Sequence, residues 1–175
     1  MEQSKKILTA FAGIALVFLG GMVYATLKHS SSAPMYQNNV QEMPVFDLPN
    51  LDGFHVRDTD MNGPYFVHVF ATWCHVCQDE MPVLQKWSAQ QGVPILGVGF
   101  QDDAQSLRSF SQDYPNVFKY VLVDEIGSLS TDLGITGTPE TFLVDANGQI
   151  IQHWVGSVKN EKILGHMTQA WQDII

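Results

Sequence analysis

The chain has two cysteines in 175 residues, and both stand in one run, Trp73-Cys74-His75-Val76-Cys77. With no third thiol available, they are partners in one reversible disulfide, two ligands of a metal, or a structural staple. A bridge across two intervening residues closes so short a loop that it removes little entropy from the unfolded chain, so it makes a poor staple. A closed zinc site needs four ligands, and the other candidates, His29, His55, His68, His75, His153 and His166, are scattered with no second ligand pair. No metal is therefore expected. Gln78 follows Cys77, so the Cys-x-x-Cys-His signature of covalent haem attachment is absent too. The spacing argues for redox chemistry.

The neighbours of the pair say where it sits. Residues 65–70 form a β-branched and aromatic run of strand length, and residues 78–91 have helix composition, so the motif lies on a strand-to-helix turn. Cys74 then stands near a helix N-terminus, where unpaired N–H groups and the helix dipole favour the attacking thiolate. Cys77, a turn deeper, is the resolving thiol. Glu80 follows Cys77 by three residues and shares its helix face. Two readings of it stand equally: partly buried, it carries the proton Cys77 must lose, and exposed, it is a solvated carboxylate favoured by the dipole. Trp73, Trp87, Trp154 and Trp171 are most simply packing, with Trp73 placed to shape a substrate groove as well.

Residues 7–27 carry no charge and are long enough to cross a bilayer, which takes ~20 apolar residues. Lys5 and Lys6 before this stretch place residues 1–6 in the cytoplasm and everything after Lys28 outside. A cleaved signal peptide ending near Val23-Tyr24-Ala25 is the alternative, but so long an apolar stretch favours a retained anchor. Residues 28–42, rich in Ser, Asn, Gln and Pro, read as a flexible tether, and residues 43–175 as one domain. Of the 9 Lys and Arg and 18 Asp and Glu, three Lys and one Glu fall within residues 1–29, leaving 6 basic and 17 acidic side chains, a formal −11. Such a surface repels phosphate backbones, so nucleic acid is not an expected partner.

Periodicity gives extended chain at 45–48, a turn at Asp52-Gly53, strands at 65–70, 94–100 and 120–123, and helices at 78–91, 104–112 and 128–133. Strands 141–144 and 149–155, joined by Asp145-Ala146-Asn147-Gly148, form a hairpin, and 160–174 is a closing helix. This order predicts an α/β fold with a mixed central sheet flanked on both faces by helices. Pro139, at the start of strand 141–144, has no ladder N–H to give. It fits there either as an ordinary trans proline or as a cis bond that turns the chain.

Trp-Cys-x-x-Cys on a strand–helix turn, Pro82 beyond it, and Thr138-Pro139 before a terminal hairpin resemble the thioredoxin fold. More narrowly, Ala71-Thr72-Trp73-Cys74, Glu80 and Gly134-Ile135-Thr136-Gly137-Thr138-Pro139-Glu140-Thr141-Phe142-Leu143 resemble the membrane-anchored CcmG/DsbE family of cytochrome c maturation, relatives of TlpA and ResA. The resemblance implies a periplasmic thiol–disulfide oxidoreductase on the inner membrane, needing no cofactor beyond its Cys74–Cys77 disulfide. It would reduce apocytochrome c, or haem-lyase-type maturation proteins, before haem attachment, and would draw electrons from a DsbD/CcdA-type membrane donor. The catalytic set is then Cys74, Cys77 and Glu80. Trp73, His75, Thr138, Pro139 and Glu140 would contact substrate, with Pro139 cis and presenting the backbone of Thr138.

Many relatives have proline where His75 stands. An imidazolium there would stabilise the thiolate and raise the reduction potential, whereas a solvated His75 would do little. The same chemistry also fits a general periplasmic reductase, isomerase or oxidase. A redox-inert chaperone binding haem or apocytochrome is the alternative from another class, and intact Cys74 and Cys77 argue against it. The peroxiredoxin pattern Pro-x-x-x-Thr-x-x-Cys is missing.

Overall fold

A computed structural model describes residues 36–37 and 41–175. The expected cytoplasmic segment 1–6 and membrane anchor 7–27 lie outside the described residues. Among the described residues, no helix is long and apolar enough to cross a membrane.

The strands are β1 (Tyr36–Gln37), β2 (Gln41–Glu42), β3 (Asp47–Pro49), β4 (His55–Arg57), β5 (Tyr65–Phe70), β6 (Ile95–Phe100), β7 (Tyr120–Asp124), β8 (Glu140–Val144) and β9 (Gln149–Val155). The helices are α1 (His75–Gln91), α2 (Ala104–Asp113), α3 (Ser128–Asp132) and α4 (Glu161–Gln172). The main sheet runs β1-β9-β8-β5-β6-β7, with β2 also on β9. Strands β5, β6 and β7 are parallel, while β8 and β9 run antiparallel to their neighbours. β3 and β4 form a separate antiparallel pair.

One expectation about the start of the domain changes, and one strand there is additional. Residues 36–37 and 41–42, assigned to the tether, pair antiparallel with β9, at Tyr36 with Trp154 and at Gln41 with Ile150. The sheet therefore takes its first hydrogen bonds before residue 43. β4, three residues long, has too short a periodicity to be noticed and forms because β3 lies alongside it.

β5 is buried along its whole length, as a central strand covered on both faces must be. Its even residues Phe66 and Phe70 face α1, α2 and α4, in a core with Met81, Leu84, Trp87, Leu107, Met167 and Trp171. Its odd residues Val67 and Val69 pack with Leu96, Val98, Phe142 and Leu129 on the opposite face. Strand alternation thus splits one sequence run between two cores. α1 ends at Gly92, whose φ of 64° is the left-handed conformation glycine accepts without a Cβ clash.

Candidate active site

Cys74 is the N-cap of α1, its backbone extended at φ −88° and ψ 107°. Its Sγ accepts a hydrogen bond from the Cys77 N–H at 3.2 Å, and its carbonyl takes the first helical bond, from Gln78 N–H at 3.1 Å. An N-cap acceptor satisfies one of the helix's orphan donors, and a thiolate at that position would be stabilised by the same N–H and by the dipole. Cys74 and Cys77 are disulfide-bonded, with Cα atoms 5.3 Å apart. Cys74 retains 9% exposure and Cys77 none, so Cys74 is the more accessible of two largely buried residues.

The turn carrying the pair is clamped from behind. Buried Asp102, just after β6, accepts from the Thr72 N–H at 2.6 Å, and the Thr72 carbonyl accepts from Gln78 Nε2 at 2.6 Å. Asp102 comes from the end of a different strand, so no local sequence signal ties it to this turn. Around the sulfurs, Trp73 is 58% exposed with its ring 6.5 Å from that of Phe100, and His75 and Val76 are also exposed. Trp73 is thus a rim residue, whereas Trp87, Trp154 and Trp171 are core.

The loop before β8 closes the other side. The Thr138–Pro139 peptide is cis, and the Thr138 carbonyl oxygen lies 3.6 Å from Cys74 Sγ. In the disulfide this is a packing contact. Once the pair is reduced, the Cys74 S–H has that carbonyl as an acceptor, and an extended peptide laid beside Thr138 would meet the sulfur.

The two glutamates have separate roles. Glu80 is fully buried, which removes the solvated reading. Its Oε2 accepts from the Val158 N–H at 2.7 Å and its Oε1 lies 3.2 Å from His68 Nε2, a group the sequence analysis had not placed at the site. The only sequence signal for His68 is its polarity in an otherwise apolar and aromatic strand.

Glu140, expected to contact substrate, is instead buried and bound to its own chain. It accepts from Thr136 N–H and Oγ1, both at 2.8 Å, from Gly137 N–H at 3.1 Å, and from His153 Nε2 at 2.6 Å. Burial alone would push its carboxyl up, but the bonds from His153 and Thr136 outweigh this and hold it below the usual carboxylate range. Its place is structural: it ties the loop of residues 136–137, which leads into Thr138, to β9. Among the described residues, no group of three or more His, Cys, Asp and Glu could hold a metal ion.

A helix capped by one cysteine of a disulfide, entered from a central parallel strand and faced by a cis-proline loop, defines a protein of the thioredoxin fold. Residues 40–153 match the AhpC/TSA family. A thiol:disulfide interchange protein DsbE of Pseudomonas fluorescens biotype C is 38% identical over 117 residues, 66% of this chain and 65% of that one. Its Escherichia coli K12 counterpart is 38% identical over 120 residues, 66% and 64% of the two chains. The match thus spans just under two thirds of the length of these relatives.

Among solved structures, Mycobacterium tuberculosis DsbF superposes with a TM-score of 0.64 at 26% identity, over 76% of this chain and 99% of that one. A thio-disulfide isomerase from Thermus thermophilus, at 23% identity and a TM-score of 0.63 over 77% and 97%, shares the fold. The chain belongs to the AhpC/TSA family, and within it to the DsbE thiol:disulfide interchange proteins.

Proposed function

We propose that the protein is a thiol–disulfide oxidoreductase that reduces disulfides of apocytochrome c, or of the haem-lyase-type proteins that handle it, before haem is attached. The observation that carries the chemistry is Cys74 Sγ as the α1 N-cap acceptor, 3.6 Å from the Thr138 carbonyl of the facing loop. The DsbE relatives and the sequence motifs support the substrate class. In this reading residues 7–27 anchor the domain to the periplasmic face of the inner membrane, and a DsbD/CcdA-type membrane protein reduces the pair after each turnover.

Reduction of a substrate disulfide proceeds in two exchanges. The Cys74 thiolate attacks one substrate sulfur, the substrate S–S bond breaks, and the released substrate thiolate takes up a proton. Cys77 then loses its proton, attacks Cys74 Sγ, and expels the second substrate thiolate as the Cys74–Cys77 bond forms. Two electrons pass to the substrate, and they travel in sulfur bonds alone, so the reaction itself calls for no cofactor. Cys74, the more accessible of the two, and fully buried Cys77 fit the attacking and resolving roles.

Trapping tests both chemistry and substrate. A full-length Cys77→Ser variant, expressed where cytochromes c mature, should accumulate mixed disulfides through Cys74 with apocytochrome c or its handling proteins, and Cys74→Ser should accumulate none. Adducts formed through Cys77 would reverse the roles. Adducts with unrelated periplasmic proteins alone would favour a general reductase or isomerase.

A further inference from the structure

A second histidine–glutamate pair lies on the opposite face of the sheet from His153 and Glu140, directly under the helix that carries the cysteines. His68 and Glu80 are both fully buried, and His68 Nε2 stands 3.2 Å from Glu80 Oε1. The two atoms are not aligned for a hydrogen bond, so each is a buried polar atom without a hydrogen-bond partner. Leaving such groups unsatisfied in a core is costly, and an apolar residue at position 68 would avoid the cost.

The rest of the ring is held firmly. His68 Nδ1 is 2.9 Å from Thr141 Oγ1, and the imidazole lies beside a stacked Phe70–Phe118 pair, 6.2 Å from the first ring and 6.1 Å from the second, the two phenyl rings being 5.0 Å apart. Phe118 reaches it over Gly97, the β6 residue opposite His68, where a Cβ would come within 2.9 Å of the Phe118 ring. The surroundings of the ring are therefore Glu80 from α1, Thr141 from β8, glycine from β6 and two phenyl rings. Glu80 is the one ionisable carboxylate among these. Glu140, adjacent to Thr141, faces the other side of the sheet by strand alternation.

We propose that His68 is a positioning residue that shares with Glu80 the proton released by Cys77, so that the pair and not the carboxylate alone stores it. This rests on the thiol–disulfide exchange reading above. Cys77 and Glu80, three residues apart on α1, share the buried face of the helix. Before resolution, His68 is neutral and Glu80 ionised. When the Cys77 S–H gives its proton to Glu80, the proton can pass to His68 Nε2, leaving an imidazolium beside a carboxylate and a thiolate on Cys77.

For Nε2 to be free to take the proton, neutral His68 carries its own on Nδ1, which donates to the Thr141 hydroxyl in both states. The Val158 N–H keeps Glu80 oriented throughout. The three groups carry one net negative charge before and after the transfer, and with the proton on His68 the imidazolium lies against the Glu80 carboxylate. When the cysteines are reduced again, the proton returns to Cys77.

The test uses the full chain with a thionitrobenzoate group on Cys74 as a mixed disulfide, following release of the coloured thiolate by Cys77 from about pH 5 to about pH 9, across the range where imidazole and thiol titrate. His68→Gln should slow release about tenfold on the acid side, a modest share of what a positioned acid–base group supplies. It should converge with the wild type where Cys77 is already ionised. Glu80→Gln should act in the same direction, and the double variant should be no slower than the slower single, as for residues that work as a unit.

A His68→Gln profile that superimposes on the wild type, or losses that multiply in the double variant, would overturn the proposal. If His68→Gln does not fold, the imidazole nitrogen shifts of His68 in 15N-histidine-labelled wild type replace it. They must change between the disulfide and dithiol forms, and constant shifts would equally refute the shared proton. A wild-type protein that releases no thiolate would sink the exchange reading itself, a result distinct from any of these.

Discussion

Glu140 shows how one side chain can matter to a site it never touches. Four hydrogen bonds converge on its carboxylate, and through them the loop that ends in Thr138 is tied to His153 on β9. Because its folded pKa lies below the ordinary 4.5, its bonds add stability above that pH, and the contribution is lost as pH falls and the carboxylate protonates. Glu140→Gln should therefore cost about 2 kcal/mol near neutrality, the usual scale for charged hydrogen bonds in a core. It should also flatten the loss of stability below about pH 4.5. Urea unfolding at a series of pH values measures both, and an unchanged acid limb would assign the acid sensitivity to other carboxylates.

At the scale of the element, α1 does two jobs that can be separated. Its first turn presents the cysteines, and its later turns bury Met81, Leu84 and Trp87 against β5, with Trp87 edge-on to Phe66 at 5.1 Å. Pro82 is tolerated among them although it offers no N–H to the Gln78 carbonyl one turn back. Leu84→Ala should lower stability by about 3 kcal/mol through the cavity it leaves. The pH dependence of Cys74 alkylation should stay as in the wild type, because the N-cap geometry is set by Cys77 N–H and by the Asp102 clamp on Thr72. A shift in that profile as large as that of an N-cap variant would show that helix packing and cysteine reactivity are coupled.

For the whole molecule, the proposed direction of electron flow is a statement about which redox form is the more stable. A protein that delivers electrons must hold its own pair at a potential well below the ~−180 mV of disulfide isomerases, and a strong periplasmic oxidant sits near ~−120 mV. Equilibration with glutathione should place this protein at the reducing end. A value near the oxidants would turn the reading around and make exposed His75 the first residue to examine. The sequence alone determined the longer elements and the redox pair. Strand β5, helix α1 and the terminal hairpin announce themselves by period and turn residues, and Cys74 and Cys77 by spacing, because these signals are local. The family motif also located the cis Thr138–Pro139 bond. Whether Glu80 was solvated or buried, whether Glu140 met substrate or its own loop, and that His68 and Asp102 stand behind the cysteines were decided only by tertiary structure. Each depends on which residues of distant strands are brought opposite one another, and on whether burial is compensated there by a hydrogen-bond donor. Neither property is encoded in a side chain's neighbours along the chain.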